Sequence, residues 1–283
     1  MRWPPYTHIF FDCDSTLTAV EGIDVLADAA GKGWRVQVLT RAAMNGDLEL
    51  EEVYAKRLQA VKPTRGQINA IRQVYKQNVV EDAASVIKAL QALGHYVYIV
   101  SGGLAEPVSE FGVYLGVPRQ NILAVAVQYN ELSGTWWQND EEIPNIQKKY
   151  RRYREVDLAS SNGKAAVIRR LLREKPGRAL LVGDGNSDLL AGTDVDLFVG
   201  YGGVISRPRV LAEAPCFLHT RSLAPLLALA AGPALLSLLE RTPYAKTGEK
   251  ALDLIKSGAI TFTNERLGEK FRQAYQAVYS RTH

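Results

Sequence analysis

Cysteine is nearly absent, with only Cys13 and Cys216 in 283 residues. Two thiols so far apart exclude a disulfide-stapled miniature. With no charged leader followed by an apolar run over Met1 to Asp12, they point to a reducing compartment, so the expected location is cytoplasmic. Excess charge of one sign is scarce as well. A net charge of +4 on a 31.2 kDa chain is too small for a nucleic-acid partner but tolerates a small anionic substrate. Repeats and low-complexity tracts are missing, and 47% apolar with 23% charged residues is the composition of a globular chain. One long charge-free run exists, Ser222 to Leu239, near the roughly 18 residues that a spanning helix needs. Pro225 and the Gly232-Pro233 pair break it, so two short buried helices are expected and no membrane span.

At ~150 residues per domain the length allows about two domains, or one with a large insertion. Three apolar runs end abruptly in small or acidic residues: HIFFDCDST from His8, HYVYIVSGG from His95 and ALLVGDGNSD from Ala179. Helical spacing follows or separates them, at Ala83, Val86, Ile87, Leu90 and Leu93 and at Val167, Ile168, Leu171 and Leu172. Strand and helix in alternation predict a parallel sheet, whose ligands bind beyond the carboxyl ends of the strands. Between Glu21 and about Gln77 the texture is helical and charged, as in an inserted subdomain, and Thr64 with Gln67 predicts a capped helix start. The segment ILAVAVQYNELSGTWW, from Ile122, has hairpin texture. The tail from Pro233 reads as two or three helices, one ending at Gly258 and the last starting at Thr263 or Asn264.

Asp12 and Asp14 stand at alternate positions after the first run, so they serve one site only if the chain turns there. A carboxylate is a competent nucleophile towards phosphorus, and a second carboxyl can protonate the leaving alcohol and later activate water. Gly183 to Asp188 forms a second acidic loop whose oxygens suit Mg²⁺, and Asp12 and Asp184 together are candidates to hold it. Ser101, Gly102 and Gly103 precede a helix, where backbone N–H groups and a hydroxyl can face an anion. Lys164 sits in the first turn of another helix, a position that makes sense for a cation when an anion faces it.

In this order the motifs DCDST, SGG, Lys164 and GDGNSD resemble the haloacid dehalogenase superfamily of phosphatases over about Thr7 to Ala224. DCDSTLTAVEGIDVLA, TRAAMNG, KRLQAVKPTRGQ and VGYGG are similar to the phosphoserine phosphatase branch. The resemblance implies an α/β fold: a Rossmann-like parallel-sheet core (1–19 and 80–230), an inserted helical cap (20–79) and a helical C-terminal extension (231–283). It implies Asp12 as nucleophile and Asp14 as general acid and base. Mg²⁺ would be held by the Asp12 carboxylate, the Asp14 backbone carbonyl and Asp184, with Asp188 in support. Ser101, Gly102 and Lys164 would bind the phosphoryl group, while Glu21, Met44, Arg57 and Ser187 would line the substrate pocket, Glu21 and Arg57 holding an ammonium and a carboxylate.

The expected activity is therefore Mg²⁺-dependent hydrolysis of a small phosphorylated metabolite, L-phosphoserine first. The same chemistry on another metabolite, phosphoryl transfer to an acceptor alcohol, and a binding protein with a vestigial site are the alternatives. Three features depart from the family: Asn45 where glycine is usual, a lengthened region from Trp136 to Ser161 containing KKYRRYR at 148–154, and the tail. KKYRRYR is expected to be a solvated amphipathic segment, and the C-terminal helices offer a homodimer surface, a second lid or extra core.

Overall fold

The computed structural model describes residues 3–130, 147–153 and 157–279. Strand β1 (His8–Phe11) leads into four helices, α1 (Gly22–Ala29), α2 (Gly33–Asn45), α3 (Leu50–Val61) and α4 (Arg65–Gln77). The chain returns through α5 (Ala83–Ala92) to β2 (Tyr96–Leu104), α6 (Ala105–Leu115), β3 (Ile122–Val125), β4 (Val127–Tyr129) and β5 (Tyr150–Tyr153). Then follow α7 (Gly163–Glu174), β6 (Ala179–Gly183), α8 (Asn186–Ala191), β7 (Leu197–Tyr201), α9 (Pro208–Glu213) and β8 (Cys216–Leu218). The tail holds α10 (Leu226–Ala231), α11 (Ala245–Lys256), β9 (Ile260–Phe262) and α12 (Glu265–Tyr279).

Seven strands form one sheet in the order β3-β2-β1-β6-β7-β8-β9. All neighbours run parallel except β9, which is antiparallel to β8. Every residue of β1, β6 and β7 is buried. Unbroken apolar runs rather than alternation are what strands covered on both faces require. The strand order reverses between β1 and β6, and the crevice outside the carboxyl ends at such a switch point is where an open α/β sheet binds ligands. Asp12 and Asp184 each follow immediately on one of those two strands.

The helices α1–α4 lie between β1 and β2 in the chain, and the two crossings run side by side: Ala19 N–H donates to Asn78 O at 2.8 Å and Val80 N–H to Leu17 O at 2.9 Å. The start of α4 is capped as its sequence predicts, Gln67 N–H donating to Thr64 Oγ1 at 3.2 Å and Thr64 N–H to Gln67 Oε1 at 2.8 Å. Ile68, Ile71 and Tyr75 form its buried ridge, at the three- and four-residue spacing of one helix face.

The charge-free run breaks where expected, but only its first piece is a fully buried helix, the second being a 3₁₀ segment with Leu238 exposed. All six residues of α10 are buried, Gly232 breaks it at φ +88°, and a 3₁₀ segment follows over Pro233–Leu239. Each buried leucine there contributes about 1.5–3 kcal/mol. No helix among the described residues is long and apolar enough to cross a membrane. Gly258, at φ +83°, ends α11, and α12 begins directly after Asn264. The tail also supplies something its sequence did not announce: β9, three residues that extend the sheet beyond β8.

The region after α6 differs from the expected hairpin. Its first apolar run is shared between β3, in the main sheet, and β4, whose antiparallel partner is β5. Thus YRRY within the basic run is a strand, with Tyr150 and Tyr153 half-buried and Arg151 and Arg152 exposed. The second run expected for that hairpin, after Gly134, lies outside the described residues, as does Arg154.

Candidate active site

Strand β1 stops at Phe11, and the chain turns where the two acids need it to. Leu17 N–H donates to Cys13 O at 2.8 Å, and Ser15 adopts a left-handed φ of +53°. The turn brings Asp12 and Asp14 into one pocket despite their alternate positions. Asp12 Oδ1 accepts from Cys13 N–H at 2.7 Å, while Oδ2 lies 2.7 Å from Lys164 Nζ. Asp14 Oδ1 accepts from the Tyr75 hydroxyl at 2.5 Å and from Gly22 N–H at 3.1 Å. Burial pushes the Asp14 carboxyl up to about 7, although the Tyr75 hydrogen bond pulls the other way. That value leaves it able both to give and to take a proton near neutrality.

Lys164, in the first turn of α7, is 3% exposed rather than a solvated surface lysine. It bridges two carboxylates, Asp12 and Asp188 Oδ1, each at 2.7 Å. Burial works to lower its pKa, but those two carboxylates outweigh it and leave it raised. Asp184 Oδ1 accepts from Thr16 Oγ1 at 3.2 Å and Oδ2 from Arg207 Nε at 2.9 Å. Burial lifts Asp184 to about 6 against the pull of Arg207, and lifts Asp188 well above the usual carboxylate range.

One oxygen each from Asp12, Asp184 and Asp188 lie within 4.8 Å of one another, all three residues buried. Three desolvated carboxylates face two cations, Lys164 and Arg207, and two of the three are pushed towards protonation. A hard, oxygen-only donor set with excess negative charge fits a divalent cation. The Asp14 carboxylate stands apart from this cluster, committed to Tyr75 and Gly22.

Ser101 and Gly102 follow a different local course from that expected. The strand does not stop at Ser-Gly-Gly: β2 continues to Leu104, with its register against β3 shifting between Val100 and Leu104, and α6 starts directly after it. Ser101 is buried, and its Oγ accepts from Gly103 N–H at 2.9 Å. Gly103 is required by close approach, since a Cβ there would lie 2.8 Å from Asp14 Oδ2.

The helices close the pocket from above. Glu21, Met44, Arg57 and Ser187 line it together with Asp12, Asp14, Ser101, Gly102 and Lys164, around a volume of about 60 Å³. Glu21 accepts from Ser15 Oγ at 2.8 Å, and burial raises its pKa strongly. Arg57 is buried; its Nη1 donates to Thr40 Oγ1 at 3.2 Å, while its Nε has no hydrogen-bond partner among the described residues. The backbone freedom expected to be missing at Asn45 is supplied one residue later. Gly46 ends α2 at φ +83°, with Asn186 so close that a Cβ would meet its Cγ at 2.9 Å.

A family model described as haloacid dehalogenase-like hydrolase matches residues 9–192, which contain every one of these groups except Arg207. The chain belongs to that family. Within the haloacid dehalogenase-like hydrolases it is a phosphatase and resembles phosphoserine phosphatases. It is 30% identical over 212 residues to phosphoserine phosphatase of Drosophila melanogaster, covering 74% of this chain and 73% of that one. It is 31% identical over 215 residues to the chloroplastic phosphoserine phosphatase of Arabidopsis thaliana, covering 75% and 68%. The crystal structure of a phosphoserine phosphohydrolase-like protein from Francisella tularensis shares the fold, with a TM-score of 0.64 at 24% identity over 79% of this chain and 99% of that one.

Four residues of the site carried no signal in the sequence. Leu50, Tyr54 and Tyr75 line the pocket from α3 and α4. Arg207 ties Asp184 to the helical layer, its Nη2 lying 3.7 Å from Glu21 Oε1. All four sit in ordinary helical or loop patterns, and the three-residue spacing that sets Tyr54 and Arg57 on one face of α3 could have pointed to Tyr54.

Proposed function

We propose that this phosphatase hydrolyses L-phosphoserine to L-serine and phosphate through an aspartyl-phosphate on Asp12. The supporting observation is that Glu21, buried Arg57 and Asp12 line one pocket, and that the Arg57 Nε has no hydrogen-bond partner among the described residues. A zwitterionic amino acid needs one carboxylate for its ammonium and one guanidinium for its carboxylate, and a buried arginine nitrogen without an acceptor is costly until a ligand supplies one.

In the first half-reaction an Asp12 carboxylate oxygen attacks phosphorus and the P–O bond to serine breaks. Asp14 gives its proton to the departing serine oxygen. In the second, Asp14 takes a proton from water as the water oxygen attacks phosphorus, the bond to Asp12 breaks and phosphate leaves. Ser101, the Gly102 backbone and Lys164 hold the phosphoryl oxygens, and Lys164 offsets the Asp12 charge that would repel an incoming phosphate. Mg²⁺, held by Asp12, the Asp14 backbone carbonyl and Asp184 with Asp188 behind, would neutralise charge on the transferring group. The helices over the pocket keep water from competing before the covalent step.

The test is phosphate release from a panel of phosphorylated metabolites with Mg²⁺, using Asp12→Asn as the blank. A selective preference for L-phosphoserine, lost in Arg57→Ala, is expected. Equal turnover of phosphomonoesters lacking a carboxylate would overturn the substrate, and turnover by Asp12→Asn would overturn the mechanism.

A further inference from the structure

Part of the basic run at 148–153 meets the pocket indirectly. Strand β5 is bonded on both edges: Asn130 N–H donates to Lys149 O at 2.8 Å on the β4 side, while Tyr150 N–H donates to Pro63 O at 2.8 Å and Arg65 N–H to Lys148 O at 2.9 Å. Pro63 belongs to the link between α3 and α4 and Arg65 opens α4, so this segment is fixed to the helices that cover the site. A backbone held this way presents Tyr153 in one place.

Tyr153 sets its ring edge-on against Tyr54 of α3, with centroids 5.0 Å apart and planes at 62°. Tyr54 is buried and lines the pocket, and its hydroxyl donates to Gly102 O at 2.9 Å. The Arg57 guanidinium lies over that same Tyr54 ring, 5.5 Å from its centroid. The phenol bond to Gly102 fixes one end of Tyr54, and the edge of Tyr153 fixes its tilt. Among the described residues the Arg57 head makes its hydrogen bond to Thr40 Oγ1, at 3.2 Å, while the carboxylates of Glu21, Asp24 and Asp14 attract it without fixing its plane.

We infer that Tyr153 is a positioning residue: through Tyr54 it sets the Arg57 guanidinium in the orientation that receives the substrate's carboxylate. This rests on the reading of Arg57 given above. An arginine side chain has many rotamers, and an aromatic face that restricts them before binding improves affinity without touching the ligand. Of the groups that handle phosphate, only Gly102 is linked to this pair, through the Tyr54 hydroxyl on its carbonyl, and Tyr153 takes no part in that bond; the effect of Tyr153 is therefore expected on substrates that carry a carboxylate. Tyr153, which lies where the sequence departs from the family, thereby gains a role in substrate selection.

The test compares L-phosphoserine with O-phosphoethanolamine, which lacks only the carboxylate, in the full chain with Mg²⁺. Values are read as KM, or as Ki for a compound that is held without turnover. Tyr153→Ala should raise KM for L-phosphoserine about fivefold, the weight of one aromatic pair, with kcat within about twofold and the value for O-phosphoethanolamine unchanged. Tyr153→Phe, which keeps the ring, should match the parent. In an Arg57→Ala background Tyr153→Ala should add nothing. Should the alanine variant fail to fold, Tyr153→Leu replaces it, keeping bulk without the aromatic edge. An equal rise for both compounds, no rise for either, or a Phe variant as impaired as Ala would overturn the inference. If Arg57→Ala itself fails to separate the two compounds, the substrate reading fails first, and the two failures are thus distinguished.

Discussion

Tyr75 hands its hydroxyl hydrogen to Asp14 Oδ1 across 2.5 Å, with both side chains buried. Burial raises the phenol's pKa, so the direction of this bond is fixed: the tyrosine donates and the carboxylate accepts. Oδ1 also receives Gly22 N–H, which leaves Oδ2 as the oxygen free to exchange a proton with substrate and water.

Tyr75→Phe removes that donor without changing the ring. The protein is expected to fold, with a stability loss of about 1–2 kcal/mol by denaturant titration. Its kcat should fall roughly tenfold, part of what a positioned acid contributes, with little change in KM. A parent-like kcat would show that Asp14 needs no orientation from above.

Gly103→Ala places a methyl group where Asp14 Oδ2 stands, at 2.8 Å, and against Val108 Cγ2 at 3.0 Å. Displacing a catalytic group by an ångström costs about 10²-fold. A drop of that order in kcat is expected, with Mg²⁺ affinity retained. Steady-state kinetics against Mg²⁺ concentration would check it.

Metal-free protein should become more stable as pH falls from 8 to 5. Burial lifts Asp14 from 3.8 to about 7 and Asp184 from 3.8 to about 6, so the folded protein keeps protons at a pH where the unfolded chain has lost them. Folding therefore takes up protons, and stability is lost as pH rises through the folded values. Thermal melts with and without Mg²⁺ test this: the cation should raise Tm most at pH 8 and flatten the profile. A metal-free Tm that climbs towards pH 8 would contradict it.

Arg207→Met leaves Asp184 without its 2.9 Å partner. Breaking a buried pair from one side costs about 3–5 kcal/mol, so a large fall in Tm is expected without metal. Mg²⁺ should recover much of it by supplying positive charge at the same carboxylates. Equal losses with and without Mg²⁺ would mean that Arg207 acts elsewhere.

The floor of the site was legible because strands buried on both faces must be apolar, so a run that ends in Asp12 or Asp184 marks a carboxyl end by contrast. Lys164 was legible because a cation at a helix start conflicts with the local dipole. Tyr75 was hidden for the opposite reason. It completes the apolar ridge of α4, and nothing in that period distinguishes a packed ring from one whose hydroxyl reaches a residue 61 positions away. Arg207 likewise looks like any loop arginine until the fold sets it between Asp184 and Glu21. β9 is too short for alternation to register, and its existence depends on the open edge of β8.

Trp3 donates its indole N–H to Leu229 O at 2.8 Å and meets the Phe271 ring edge-on with centroids 5.0 Å apart. Trp3 is thus clasped between α10 and α12. During translation, the residues that build the phosphate site emerge well before those that cover Trp3 and the edge of β8. A nascent chain passes through a stage in which its chemistry is assembled while an indole and an unpaired strand edge remain open to neighbours, the kind of surface through which chains aggregate. It is β9 and α12, and not the elements of the catalytic centre, that cover this surface.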